Sequence, residues 1–169
     1  MLDLPFIIAP DKDVREEYPS DLPPEEVPVF LSRLKAQAYL DDLKDDDILI
    51  TADTVVLLEN DILSKPSDKN EAKLMLRKMS DKLHRVVTGV SLSSTKKSVS
   101  FSTVTEVKFS TLSEADIEYY VEKYNPLDKA GAYGIQEWIG AVGIASINGS
   151  FYNVMGLPVH RLYKELISF

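Results

Sequence analysis

Cysteine is absent from the 169 residues, which excludes disulfides, thiolate metal sites and cysteine nucleophiles, and with them a disulfide-stapled secreted scaffold. Basic residues are the minority: 19 Lys and Arg stand against 27 Asp and Glu, a formal charge of −8. Binding a nucleic-acid polymer relies on many Lys and Arg neutralising phosphates together, so that partner class is excluded. A small phosphorylated ligand stays compatible, given a locally basic pocket or a divalent cation to offset its charge and the acidic field of the chain. Long apolar runs are missing too. Ile48-Leu49-Ile50 is typical of those present, far short of the roughly 20 residues that cross a bilayer. Met1-Leu2-Asp3-Leu4-Pro5 carries acid and proline where a signal peptide has a basic start and an apolar stretch. No membrane partner and a cytoplasmic location are the expectation. Histidine is scarce as well: His84 and His160 stand far apart without metal-type spacing and read as structural or surface residues.

What is present suits one substantial core. At 44% hydrophobic content, residues 1–169 read as a single α/β domain. Phe6-Ile7-Ile8-Ala9 is expected as a short buried strand, followed by a polar, acidic loop to Glu26. Pro23, Pro24, Glu25 and Glu26 then suit a helix start, with apolar positions at helical spacing from Val27 to about Leu43. Ile48 to Thr51 has the continuous apolar character of a buried parallel strand ending at Ala52-Asp53-Thr54, with Val55 to Leu58 continuing as strand. A helix is expected over Ser67 to Met79 with Ser67 as its cap. Val86 to Leu92 and Val99 to Phe109 form an antiparallel pair by their alternation. Ser113 with Asp116 makes a capping box for a helix that Asn125-Pro126 stops. Asn148-Gly149 signals a hairpin running into Phe151 to Met155, and a final helix spans Pro158 to about Ile167.

Three constellations can carry chemistry. Asp53, at the end of an apolar strand, is placed to hold a divalent cation or activate water; the same pattern also suits a turn acid. Lys65, before Pro66 and twelve residues after Asp53, could clamp a phosphate, but by itself the pattern favours a solvated loop lysine. The string Leu127-Asp128-Lys129-Ala130-Gly131-Ala132-Tyr133-Gly134-Ile135-Gln136 lets backbone approach a ligand closely, with Gln136 able to read one edge of a base; tight packing of a loop on the core is the other reading. Tyr119, Tyr120 and Tyr124 read as core and rim.

Taken in order and spacing, Arg33-Leu34-Lys35-Ala36, Ala52-Asp53-Thr54-Val55-Val56, Lys65-Pro66, Thr88-Gly89-Val90, Leu127 to Gln136 and Asn153-Val154-Met155-Gly156-Leu157-Pro158 resemble the Maf family from about residue 6 to the C-terminus. The resemblance implies a nucleoside triphosphate pyrophosphatase dependent on a divalent metal, Mg2+ or Mn2+. It also implies a mixed central sheet in a two-lobed fold akin to the inosine triphosphatase group, and a homodimer. Carried over by position, Asp53 and Glu16 are the catalytic and metal-binding carboxylates, with Glu17 an adjacent competitor for the second place. Lys35 and Lys65 match the phosphate-contacting lysines. Thr54 and Gln136 resemble the branch acting on dTTP and UTP rather than the sister branch for methylated guanine nucleotides. Two departures follow. Glu137-Trp138-Ile139-Gly140 stands where many members have glycine and leucine, which alters the fine shape of the base pocket but not its class. A strand and Ser-x-Ser-Pro-Arg-Arg loop ordinarily open such chains, and nothing before Phe6 supplies them; the expectation is a site without its strongest cations. A catalytically weak nucleotide-binding regulator linked to septum formation is therefore the alternative, and a subunit needing a partner to supply the loop is a third reading.

Overall fold

Three long strands rich in Val, Thr and Ser form the centre of the molecule, since β-branched side chains stiffen an extended backbone. The computed structural model describes residues 2–169. Its strands are β1 (Leu49–Leu58), β2 (Asp61–Leu63), β3 (Leu83–Ser93), β4 (Ser98–Phe109) and β5 (Ile144–Asn148), in the spatial order β2-β1-β3-β4-β5. Every pairing among them is antiparallel, with Asp53 opposite Gly89, Thr54 opposite Thr88 and Ser91 opposite Ser100. The α/β class is as expected, but the parallel reading of Ile48–Thr51 is replaced by an antiparallel strand.

Alternation sends Thr51, Asp53, Val55 and Leu57 to one face of β1 and Ala52, Thr54, Val56 and Leu58 to the other. The first face is covered by α1 (Val27–Gln37), where Val27, Leu31, Val55, Leu57 and Val87 form one core. The second is covered by α2 (Lys69–Met79), α3 (Glu114–Tyr124), α4 (Trp138–Gly143), α5 (Phe151–Val154) and α6 (Val159–Ser168). A large core around Leu76, Met79, Phe109, Ile117 and Tyr120 lies there, beside a smaller one around Val90, Leu92, Phe101 and Leu162.

Several expectations need correction. Phe6, Ile7 and Ile8 are not a buried strand; they are 82%, 94% and 84% exposed, because a strand needs a ladder partner and these residues have none among the described residues. The chain is instead tied down just after them: Lys12 Nζ donates to the Ala38 carbonyl at 2.7 Å and Lys12 N–H to the Tyr39 hydroxyl at 3.0 Å. That ammonium takes a carbonyl at the end of α1, which stops at Gln37 and gives way to a 3-10 turn at Leu40–Asp42 rather than running to Leu43. Helix α2 is capped by Asp68, whose carboxylate accepts from Glu71 N–H. Ser67 is not free to cap, since its own N–H and hydroxyl both donate to the Glu71 carboxylate.

No hairpin follows Asn148-Gly149. Ser150 caps α5 by accepting from Asn153 N–H, and the fully buried Asn153 amide donates to the Val86 carbonyl at 3.0 Å and Thr105 Oγ1 at 3.1 Å. Those partners satisfy a helical turn where the dipeptide alone signals a strand return. The capping box at Ser113 and Asp116 holds, and Asn125 ends α3 in the left-handed region at φ 47°.

Candidate active site

Helix α1 lies unusually close to the sheet, and glycine is what lets it. A Cβ on Gly89 would stand 2.2 Å from both the Pro28 carbonyl carbon and the Val29 nitrogen, so any side chain there would push the helix off. Hydroxyls fix the helix further along. Thr51 Oγ1 donates to the Ser32 carbonyl at 2.7 Å, and Ser32 Oγ, which donates to Val29 O, accepts from Ser91 Oγ at 2.9 Å. The single hydroxyl proton of Ser91 is then used, so Ser100 donates to Ser91 at 2.9 Å, and Arg33 Nε donates to Ser100 at 3.1 Å.

This seating delivers Lys35, in the last turn of α1, to Asp53 in the middle of β1. Their Nζ and Oδ1 lie 2.7 Å apart, and the same ammonium is 3.0 Å from Glu16 Oε1. The Asp53 side chain is 12% exposed, that of Lys35 25% and that of Glu16 50%, so the group is half-open to solvent. Burial raises the Asp53 carboxyl above the ordinary aspartate value, a shift the Lys35 hydrogen bond only partly offsets. Burial also works against the Lys35 charge, but the hydrogen bonds and charges of Asp53 and Glu16 outweigh it and raise its pKa. Glu17 takes no part; it pairs with Arg15 at 2.6 Å.

Lys65 lies exposed in the loop after β2, where its charge favours the ionised forms of both Asp53 and Asp128. That loop is stitched to the glycine string, because Gly131 N–H donates to Ser64 O at 3.2 Å. Gly131 has φ 68°, where an L side chain is strained, and its Cβ would press to 3.1 Å from both Val56 methyls. Along Leu49 to Val55, β1 has a ladder partner on the β3 side only, among the described residues. A surface cleft of about 360 Å3, lined by Arg33, Gln37, Ser93, Ser98 and Ser100, lies beside α1 and does not include Asp53.

Thr54 points to the opposite face. Its hydroxyl lies 2.8 Å from Thr88 Oγ1, and Thr88 Oγ1 is 3.1 Å from the Asn153 carbonyl. With one proton per hydroxyl, the two shorter contacts are both made only if Thr54 donates to Thr88 and Thr88 to Asn153; the other outlet for Thr54, Gly156 O, is 3.5 Å away. The half-buried Thr54 oxygen then accepts no hydrogen bond among the described residues. Gln136 is exposed at the end of its string. Thr88 and Asn153, both fully buried, have no role in the sequence reading beyond the family motif; the signal available was their place in two blocks otherwise rich in Gly and Val.

The described residues contain no cluster of three or more His, Asp or Glu side chains arranged as a metal cage. None of their helices is long and apolar enough to cross a membrane.

The family model described as Maf-like protein matches residues 1–169, the whole chain. The chain belongs to the Maf family. Curated relatives of this Maf chain carry the name dTTP/UTP pyrophosphatase. That of Parabacteroides distasonis is 48% identical over 99% of this chain and 87% of its own length. That of Bacteroides thetaiotaomicron is 50% identical over 98% of this chain and 86% of its own length. One from Porphyromonas gingivalis is 51% identical over 99% and 85% respectively.

Proposed function

We propose that this chain hydrolyses nucleoside triphosphates, dTTP and UTP, to the monophosphate and pyrophosphate. The observation that carries the proposal is one ammonium, Lys35, held at 2.7 Å by Asp53 and 3.0 Å by Glu16 within the field of Lys65. The names of close relatives supply the substrate class.

Two carboxylates on a shared lysine suit a polyphosphate ligand better than a resident metal. A Mg2+-type ion needs only one or two carboxylates when water and phosphate oxygens complete its shell, and Asp53 and Glu16 fit that use. Such an ion supplies charge neutralisation on the phosphate oxygens and lowers the pKa of bound water. The protein's own part is then clear. Phosphate oxygens draw Lys35 off the carboxylates, and Lys65 meets the other end of the polyphosphate. Water attacks the α-phosphorus, its proton passes to Asp53, and the bond from the α-phosphorus to the bridging oxygen breaks with its electron pair leaving on pyrophosphate. Burial makes Asp53 a stronger base than an exposed aspartate, which favours that proton transfer.

Thr54 and Gln136 are proposed to read the base. An unused acceptor on Thr54 complements the ring N–H that uracil and thymine carry and cytosine lacks. Pyrophosphate release from UTP and dTTP with Mg2+ or Mn2+, lost in Asp53→Ala, is the expected result. Absence of release from any nucleoside triphosphate by the wild-type protein would overturn the proposal.

A further inference from the structure

Gln136 is flanked by two differently held residues. Ile135 before it is buried in the large core, and its carbonyl lies where a side chain on Gly140 would fall, 1.8 Å from the Cβ position. Glu137 after it is a carboxylate whose side chain is only 19% exposed, an unusual place for a charge. Its partners explain why it is there. One oxygen accepts the Tyr120 hydroxyl proton, and Tyr120, fully buried on α3, accepts in turn from Gly134 N–H at 3.0 Å. The other oxygen stands 3.3 Å from Lys129 Nζ, which Asp128 also holds at 2.9 Å. Glu137 N–H donates to Gly134 O at 3.0 Å. Residues 129, 134 and 137 are thereby tied to one another and to α3.

Gly134 makes room for this. A Cβ on it would meet Glu137 Cδ and Lys129 Cε, each at 2.9 Å, so the ion pair fills the space a side chain would take. The backbone there is not in the left-handed region, unlike Gly131, Gly149 and Gly156. Alanine there would not be strained by conformation, but it would oblige the Glu137 and Lys129 side-chain ends to shift.

We infer that Glu137, with Lys129, is a latch that positions Gln136 and so sets the base selectivity of the site. Glu137 is a positioning residue that touches neither phosphate nor base. The inference rests on the reading of Gln136 as the base-contacting residue. It also gives a purpose to Glu137, the first residue of the Glu137-Trp138-Ile139-Gly140 stretch.

Four variants, Glu137→Gln, Glu137→Ala, Gly134→Ala and the double variant Glu137→Ala with Gly134→Ala, test it through the kinetics of the full chain on UTP and CTP and through amide exchange at Gly134. Glu137→Gln removes the charge and keeps the shape. It is expected to raise KM for UTP roughly tenfold, to narrow the UTP to CTP ratio of kcat/KM, and to leave kcat within about twofold. Gly134→Ala displaces the ion pair and should do the same. In the Glu137→Ala background the added alanine meets only the flexible Lys129 end, so the two changes should be non-additive. Gly134 N–H should exchange faster in Glu137→Ala whether or not nucleotide is turned over. Unchanged selectivity with unchanged exchange overturns the latch, as does loss of kcat at constant KM. Were the wild-type protein to cleave no nucleotide, the proposed function would fail, and exchange at Gly134 would still decide whether the latch exists.

Discussion

The two faces of β1 are built from opposite materials. On the α1 side, Asp53, Lys35 and Glu16 form a charged, half-exposed group in which one lysine serves two acids. On the other side, Thr54, Thr88 and Asn153 form a neutral chain whose inner members are completely buried. The charged group can exchange partners at little cost, since a phosphate offers Lys35 what the carboxylates did and frees them for a cation. The neutral chain has only one longer alternative, from Thr54 to Gly156 O at 3.5 Å, so its two shorter bonds favour one polarity. On the proposed function, the phosphate chemistry and the reading of the base fall to opposite faces of one strand.

The largest effect expected from breaking the charged side is on catalysis. Asp53→Asn keeps the shape and removes the proton acceptor, and kcat for pyrophosphate release should fall by roughly 10³-fold with the fold intact by circular dichroism. Retained turnover would move the base elsewhere. Next comes the seating of α1. Gly89→Ala forces a methyl group against the Pro28 and Val29 backbone, and overpacking of that kind should cost about 3 kcal/mol or more in a denaturant melt while also separating Lys35 from Asp53.

On the neutral side, His84 gives a pH test. It is buried, stacks on Phe109 with ring centroids 5.2 Å apart and shares a 2.7 Å hydrogen bond with the Tyr133 hydroxyl at the head of the Gln136 string. Burial pushes its pKa from 6.5 down to about 4. The unfolded chain therefore takes up a proton at a higher pH than the folded one. The associated stability is complete above pH 6.5, falls as the pH drops, and is lost once the pH passes below about 4, up to about 3 kcal/mol in all. Unfolding free energies at neutral and acid pH, compared with those of His84→Phe, should show that slope in the wild type and not in the variant.

The charged side was far more legible in the sequence than the neutral one, for physical reasons. Asp53 and Lys35 stand in short blocks whose spacing is set by local structure, and the Ser113–Asp116 capping box was readable because its partners are three residues apart. Choosing between Glu16 and Glu17 required Lys35 in three dimensions, since adjacent acids look alike in a loop. The neutral chain depends on register: Thr54 meets Thr88 only because two strands pair with that alignment, and Thr88 meets Asn153 across 65 residues. The same long-range bonds misled the reading of Asn148-Gly149, where local turn chemistry was right but the Asn153 amide found partners in β3 and β4 that hold the next segment as a helix. Phe6 to Ala9 failed in the opposite way, since an apolar segment makes a strand only where a neighbour waits for it.

The smallest expected effect is also the sharpest test of the division between faces. Thr54→Val preserves branching and removes one hydroxyl. Thr88 keeps its bond to Asn153, so stability should drop by only about 1 kcal/mol. Selectivity should move more: kcat/KM for UTP should fall by roughly tenfold, carried by KM. Thr54→Ser, which retains the hydroxyl, should restore most of it. A fall in kcat instead of KM would mean that Thr54 serves the phosphate chemistry of the charged face, and the assignment of one task to each side of β1 would be wrong.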